Sequence, residues 1–144
     1  GIGPDAQGRM SSWIGRGLEE LGNFLGVNGE GIYSTRPWLE IDQVTADDGW
    51  SWYTTRPKDD DQRVFFFGMP PAPLADEATE LSLEEATFAP AGLASTWLEV
   101  PGEVSQARIL GSVEPVIVEN REGSSRLVIP QTDLHYAIGL ELTF

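Results

Sequence analysis

Carboxylates are the side chains of this chain with the widest capacity for chemistry. The sequence holds 23 Asp and Glu residues, one His and no Cys. Two carboxyl groups that face one substrate can act as a general acid and a general base, provided that their surroundings keep one of them protonated. No two of these acids stand in a motif that marks them for such a role, so we predict no catalytic residue.

Metal binding is the next chemistry that the acids could support. The run Asp59-Asp60-Asp61 could attract Ca²⁺, which prefers oxygen ligands. The run lacks the spaced Asp-x-Asp-x-Asp-Gly pattern, and a solvated loop is the favoured interpretation. A histidine-based zinc site is unsupported, because His135 is the only histidine and is expected on the surface or in a loop. We therefore predict no metal site and no cofactor.

Aromatic side chains offer a different kind of chemistry, because a flat ring can stack on a sugar ring. The larger group is Trp38, Trp50, Trp52, Tyr53 and Trp97, of which the first four are the candidates for carbohydrate contact. An exposed cluster of this kind would suit a glycan-binding module. Large aromatic side chains are usually mostly buried, so the favoured interpretation is that these rings fill the core and its seam with the helix.

One helix is predicted before any strand. Ile14, Leu18, Leu21 and Leu25 recur at steps of four, three and four, which places them on one helical face. Ser11 or Ser12 could cap its start, and Gly26 and Asn28-Gly29 could end it. Its interior glycines each weaken it by up to ~1 kcal/mol relative to Ala, so the helix depends on tertiary packing. The exposed leucine stripe therefore needs a partner surface.

After Pro37 the hydrophobic period changes from helix to strand. The strictest alternation runs over the last nine residues, from Tyr136 to Phe144, and predicts a strand with one face on a core and one partly wet. The apolar run Val64–Phe67 predicts a central strand buried on both faces. About eight short strands separated by turn signals favour a mainly β fold, an antiparallel β-sandwich preceded by one helix. The other predicted strand segments are Leu39 with Ile41, Trp50–Thr54, Leu81 with Leu83, Trp97–Val100, Ala107–Leu110, and Val116–Val118 with Leu127–Ile129 joined by a hairpin loop over Asn120–Ser125.

Charge and hydropathy exclude two classes of partner. The net charge is −14, which repels phosphate backbones and anionic lipid, so nucleic acid is a poor partner. No apolar run is long enough to span a bilayer, and no membrane association is expected. A chain of 144 residues can bury roughly 68–70% of its unfolded surface, which is enough for one ordinary core.

The segment Val27-Asn28-Gly29-Glu30-Gly31-Ile32-Tyr33-Ser34-Thr35-Arg36-Pro37-Trp38 carries a family resemblance. It resembles the end of the catalytic barrel in α-L-fucosidases of glycoside hydrolase family 29, where an Asn-Gly-Glu-x-Ile-Tyr-x-Thr-x-Pro-Trp junction precedes a C-terminal β-sandwich. Ile2–Gly8 is similar to the turn after the eighth barrel strand, although the family usually has Asn at the position of Gly1. Ala107–Gly111 and Leu127–Pro130 are similar to its closing strands. The match is good over residues 1–38, loose over 104–144 and mainly in strand pattern over 39–103.

The resemblance implies that residues 1–38 are a remnant of a catalytic barrel and residues 39–144 a C-terminal β-sandwich. The parent enzyme would hydrolyse terminal α-L-fucosyl linkages in glycans with retention. The family's nucleophilic Asp and its acid/base residue come from earlier barrel strands, and retention needs two carboxyl groups ~5–5.5 Å apart. This chain, which also lacks an initiator Met, is therefore expected to be a non-catalytic, structural part of a longer enzyme. The family is often secreted, periplasmic or lysosomal, which leaves the compartment open.

Two alternatives remain beside the structural role. The chain could be a carbohydrate-binding module that recognises fucosylated glycans. It could also form an active α-L-fucosidase assembly, either by oligomerising or by complementing a separate barrel fragment. The helix face of Ile14, Leu18, Leu21 and Leu25 motivates the second alternative, because an apolar surface made for a missing partner seeks a substitute.

Overall fold

A computed structural model describes residues 3–38, 45–46, 49–70, 94–133 and 137–144. One α-helix, α1, spans Ser12–Asn28 and continues into a 3₁₀ turn at Gly29–Gly31. Strands follow in the rest of the described chain. They are β1 Thr35–Pro37, β2 Thr45–Ala46, β3 Ser51–Pro57, β4 Arg63–Met69, β5 Thr96–Pro101, β6 Gln106–Ile109, β7 Ile117–Arg121, β8 Ser124–Ile129 and β9 Ile138–Thr143.

The strands form two sheets in which every pairing is antiparallel. The five-stranded sheet has the order β1-β3-β4-β9-β6, and the four-stranded sheet has the order β2-β5-β8-β7. Side chains alternate between the two faces of each strand, so each sheet turns one set of apolar residues towards the other sheet. The antiparallel β-sandwich preceded by one helix is confirmed.

The core lies between the two sheets and is almost wholly apolar. Strand β4 is at the centre of the five-stranded sheet, as the run Val64–Phe67 predicts, and Phe66 points into the core while Phe65 is buried on the opposite face. Large side chains from both sheets fill the space between them, and each removes apolar area from water. The fully buried members with the largest side chains are Phe66, Leu98, Ile109, Leu127, Ile129, Ile138, Leu140 and Leu142.

Two local predictions need correction. The hairpin loop predicted over Asn120–Ser125 is shorter, because β7 continues to Arg121 and β8 begins at Ser124. Gly123 lies in that turn with φ +80°, a conformation that glycine adopts at little steric cost. Helix α1 also runs through Gly26, which was expected to help end it, and finishes at Asn28.

Several predictions fall outside the described residues. They concern the strand segments at Leu39 with Ile41 and at Leu81 with Leu83, the beginning of the last strand at Tyr136, and the position of His135. The division into residues 1–38 and 39–144 stays a prediction. Within the first of these segments, β1 pairs with β3 and so extends the five-stranded sheet.

Candidate functional site

The end of helix α1 is seated on the outer face of the five-stranded sheet, and this junction is the first candidate site. Gly31 is buried in the 3₁₀ turn directly over β4. A Cβ atom built at Gly31 would lie 2.7 Å from the ring carbons of both Phe65 and Phe67. Phe24 of α1 also meets Phe67, with the ring centroids 6.5 Å apart. The turn can therefore touch the sheet only because position 31 has no side chain.

Two further close fits hold the last turn of the helix. Asn28 is buried against Gly139 of β9, where a Cβ atom would overlap the Asn28 amide oxygen. Val27 lies against Gly111, where a Cβ atom would come within 2.5 Å of a Val27 methyl carbon. Gly111 has φ +75°, so a larger residue would be strained there even without the contact. Two glycines of the sandwich thus shape the surface that receives the junction, and a third, Gly31, lies in the junction itself.

Polar contacts fasten the same junction. The Thr55 hydroxyl donates a hydrogen bond of 2.6 Å to the carbonyl of Gly31. The Arg108 guanidinium donates to Glu30 Oε1 at 2.7 Å and also to Glu141 of the neighbouring strand β9. Partial burial lowers the pKa of Arg108, but hydrogen bonds to Glu30 and Glu141 and their charges outweigh it, so the pKa is raised overall. One cation therefore joins the junction segment to two strands of the sheet.

The rest of α1 projects an apolar stripe with few contacts to the described sandwich. Leu18 is 45% exposed and Leu21 is 51% exposed, while Ile14 and Leu25 are partly buried. Exposed leucines at this spacing are typical of a helix face that packs against a further surface. A partner for this face stays a prediction.

The four candidate sugar-contact residues are placed very differently. Trp52 is only 3% exposed, lies directly over Gly68 and belongs to the core. Trp50 stacks on Trp52 with ring centroids 5.7 Å apart, and Trp38 packs edge-on against Phe66 at 5.9 Å. Tyr53 follows Trp52 on β3, so its side chain points to the outer face of the sheet, and it is 50% exposed. Among the four, Tyr53 therefore presents the most open ring, and carbohydrate contact by this set stays a prediction.

The carboxylates of the acidic loop between β3 and β4 pair with arginines from strands of the same sheet. Asp60 accepts hydrogen bonds from the Arg63 side chain at 2.6 Å and from the Gln62 backbone at 2.9 Å. Asp61 is paired with Arg36 at 3.4 Å and with Arg56 at 3.6 Å. Within the described part of the chain, no cluster of three or more His, Cys, Asp or Glu could hold a metal ion. The arrangement favours the solvated loop over a calcium site.

The Asp60 contacts give this loop an acid-sensitive contribution to stability. Hydrogen bonds from the Arg63 side chain and then from the Gln62 backbone hold the pKa of Asp60 below its ordinary value of 3.8. A depressed folded-state pKa stabilises the fold above the unfolded value, and that stabilisation is lost as pH falls through the folded pKa. We expect the free energy of unfolding of the wild type to fall more steeply below about pH 4 than that of Asp60→Asn, measured by urea unfolding at a series of pH values. Arg63→Gln should likewise make the free energy of unfolding depend less steeply on pH below about pH 4. Equal pH dependence in all three proteins would contradict the prediction.

Two depressions on the described surface could be mistaken for active sites. One of about 410 Å³ lies against Asp5, Arg9 and Ile14, but the Asp5 carboxylate is already paired with Arg9 at 2.9 Å. The other, of about 330 Å³, has Glu114 and Asp133 at its rim. Both of these carboxylates are exposed to water, whereas a catalytic acid needs surroundings that keep it protonated.

At the junction, the described fold brings Glu30 and Glu141 onto one shared partner. They converge on the Arg108 guanidinium, which the sequence did not indicate because Glu30 and Arg108 are 78 positions apart. The arginine lies between the two carboxylates, so both face a cation of this chain rather than a substrate. No described helix has the length and apolar character needed to cross a membrane.

Comparisons with known proteins identify relatives for part of the chain. An α-L-fucosidase of Dictyostelium discoideum is 36% identical over 69 residues, which is 48% of this chain and 14% of the relative. The plasma α-L-fucosidase of Homo sapiens is 42% identical over 59 residues, or 40% of this chain and 12% of the relative. A putative α-L-fucosidase of Caenorhabditis elegans is 33% identical over 55 residues, or 38% of this chain and 11% of the relative.

The remaining comparisons add little beyond these relatives. No family model matches the chain. The solved structure of α-L-fucosidase isoenzyme 2 from Paenibacillus thiaminolyticus is similar with a TM-score of 0.48 and 12% identity, over 92% of this chain and 18% of that one. The chain matches only 11–14% of the length of the curated relatives. Part of the chain is thus related to α-L-fucosidases, as the junction motif predicts.

Proposed function

We propose that this chain, part of which is related to α-L-fucosidases, is a non-catalytic C-terminal region of such an enzyme. Its role is to hold the end of the catalytic domain on a stable β-sandwich. The parent enzyme would hydrolyse terminal α-L-fucosyl linkages in glycans with retention of configuration. The observation that carries the proposal is the seat of Gly31 on Phe65 and Phe67, because it ties the fucosidase-like junction segment to the sandwich.

The distribution of charges supports the absence of catalysis. A retaining glycosidase needs two carboxyl groups ~5–5.5 Å apart, with one nucleophile and one acid that is held protonated. Most described acids with a close polar contact bind an arginine, as Glu30 and Glu141 bind Arg108 and Asp60 binds Arg63. The hydrogen bond from Arg63 holds the pKa of Asp60 below its ordinary value, which is the opposite of what a general acid requires.

The proposal is tested by hydrolysis of an aryl α-L-fucoside. The purified chain alone is expected to release no nitrophenol above the background of a mock purification. The sharpest control is the double variant Glu114→Gln/Asp133→Asn, which removes both acids of the 330 Å³ depression without touching the core. Turnover that survives purification and disappears in this variant, or in Glu30→Gln, would overturn the non-catalytic role.

A second candidate function, part of an active assembly, is favoured by the exposed stripe on α1. Leu18 and Leu21 are about half exposed on a helix whose last turn is seated on the sheet. Mixing the chain with a separately produced barrel of a related α-L-fucosidase should then increase hydrolysis, and Leu18→Glu/Leu21→Glu should abolish the increase. Light scattering tests whether the chain self-associates. A chain that is monomeric at high concentration would exclude an assembly made of its own copies. If the mixture gains no activity and the chain is monomeric, the assembly function fails while the structural role stands.

A further inference from the structure

The outer face of the four-stranded sheet carries an apolar band across three strands. Trp97 of β5 is opposite Val128 of β8, and Val128 is opposite Ile117 of β7. All three side chains point away from the core, and Ile117 is 58% exposed. Neighbouring strands are about 4.8 Å apart, so the band is roughly 10 Å wide, close to the length of a disaccharide.

A row of charged residues runs beside the band, two residues further along each strand. Glu99, Arg126 and Glu119 are opposite one another on β5, β8 and β7. Arg121 follows on β7 and reaches Glu119 at 3.5 Å and Glu99 at 3.8 Å. Two arginines and two glutamates thus compensate one another on this face, although the chain as a whole has a net charge of −14.

Trp97 is held in place as a platform. The Arg126 guanidinium lies over one face of its indole ring, 4.4 Å from the ring centroid, a favourable cation–π contact. Among the described residues no aromatic ring stacks on Trp97. Glu99, which is next on the same face, accepts a hydrogen bond of 2.8 Å from the Ser124 hydroxyl. The ring is therefore oriented by its neighbours while its second face has no ring partner in the described fold.

We propose that this face, with Trp97 as its aromatic platform, is a binding site for a neutral oligosaccharide. The aromatic ring and the aliphatic band suit the apolar CH face of a sugar, and the adjacent Arg126, Glu99 and Glu119 supply donors and acceptors for its hydroxyl groups. The balanced charges leave no excess to attract an anion or a cation, which favours an uncharged ligand. This site lies on the opposite sheet from the α1 junction, so it is independent of the structural role proposed above.

The test is calorimetric titration of the 144-residue chain with 2′-fucosyllactose, lactose and 3′-sialyllactose. We expect saturable binding of at least one neutral sugar and weaker binding of the sialylated one. Trp97→Ala should weaken binding by about tenfold or more, equivalent to roughly 1.4 kcal/mol, and Trp97→Phe should weaken it less. Ile117→Glu changes an exposed edge residue and tests the band without risk to the core.

The matched control is Tyr33→Ala, which removes a ring that is 62% exposed in the junction segment and should leave binding unchanged. Circular dichroism of each variant establishes that the sandwich is folded. The proposal is overturned if no neutral sugar binds saturably, if 3′-sialyllactose binds best, or if folded Ile117→Glu and Trp97→Phe bind as the wild type does. Loss of binding in Tyr33→Ala alone would move the site to the junction segment and would equally overturn it.

Discussion

Replacing Phe66 with alanine is expected to lower the free energy of unfolding by about 3–5 kcal/mol, because the truncation leaves a cavity in a core that is close-packed. Phe66 is fully buried on the central strand β4, where it lies between Thr54 of β3 and Leu140 of β9. Trp38 packs edge-on against its ring. The loss is large beside the total stability of an ordinary domain, which is about 5–15 kcal/mol.

Urea unfolding followed by tryptophan fluorescence measures this effect as a shift of the transition midpoint. Tyr53→Ala is the matched control, because it truncates an aromatic side chain on the adjacent strand that is 50% exposed. We expect the control to lower the free energy of unfolding by much less than the core substitution does, since only the buried ring leaves a cavity. Equal losses in the two variants would mean that β4 is not the centre of the sandwich.

The strands that the sequence predicted well are those with a simple burial pattern. Along β9 the apolar residues Ile138, Leu140 and Leu142 occupy every second position and all point into the core. The run Val64–Phe67 was predicted to be buried on both faces, and Phe65 is indeed buried away from the core. Along β9 the alternation fixes which residues share the buried face, because a one-residue shift would turn every apolar side chain to water, whereas the unbroken apolar run of β4 predicts burial on both faces.

The packing of the junction could not be predicted in the same way. Gly22 and Gly31 look alike in the sequence, yet a Cβ atom at Gly22 would meet nothing within 4 Å in the described structure and one at Gly31 would meet two phenylalanine rings. The pairing of Glu30 with Arg108 likewise joins positions far apart in sequence. Such contacts depend on the relative placement of whole elements, and no local pattern records that placement.

Among the aromatic residues, some placements could be predicted from the sequence and others could not. Strand alternation predicts that Trp50 and Trp52 share one face, which leaves Tyr53 on the other, and the structure has this arrangement. Alternation does not say which face is the core. The contact between Trp97 and Arg126 depends on the register of β5 with β8, so composition alone could not mark Trp97 as a candidate platform.

Gly31→Val is expected to detach the end of α1 from the sheet and to lower the free energy of unfolding by about 1–3 kcal/mol, the usual cost of overpacking. The first added carbon would lie 2.7 Å from Phe65 and Phe67, and neither ring can move away easily because β4 is held between two neighbouring strands. Displacement of the turn also removes the acceptor of the Thr55 hydroxyl, whose hydrogen bond contributes about 1 kcal/mol.

Hydrogen exchange resolved by residue distinguishes detachment from general destabilisation. In Gly31→Val the amides of α1 should exchange much faster, while those of β4 and β9 should exchange faster only in proportion to the global loss of stability. Gly22→Ala is the matched control on the same helix, where a methyl group meets open space and alanine is favoured over glycine by about 1 kcal/mol, so α1 should exchange more slowly. If Gly31→Val left the exchange of α1 unchanged, the glycine seat would not be what fastens the junction, and the structural role proposed for the sandwich would lose its main support.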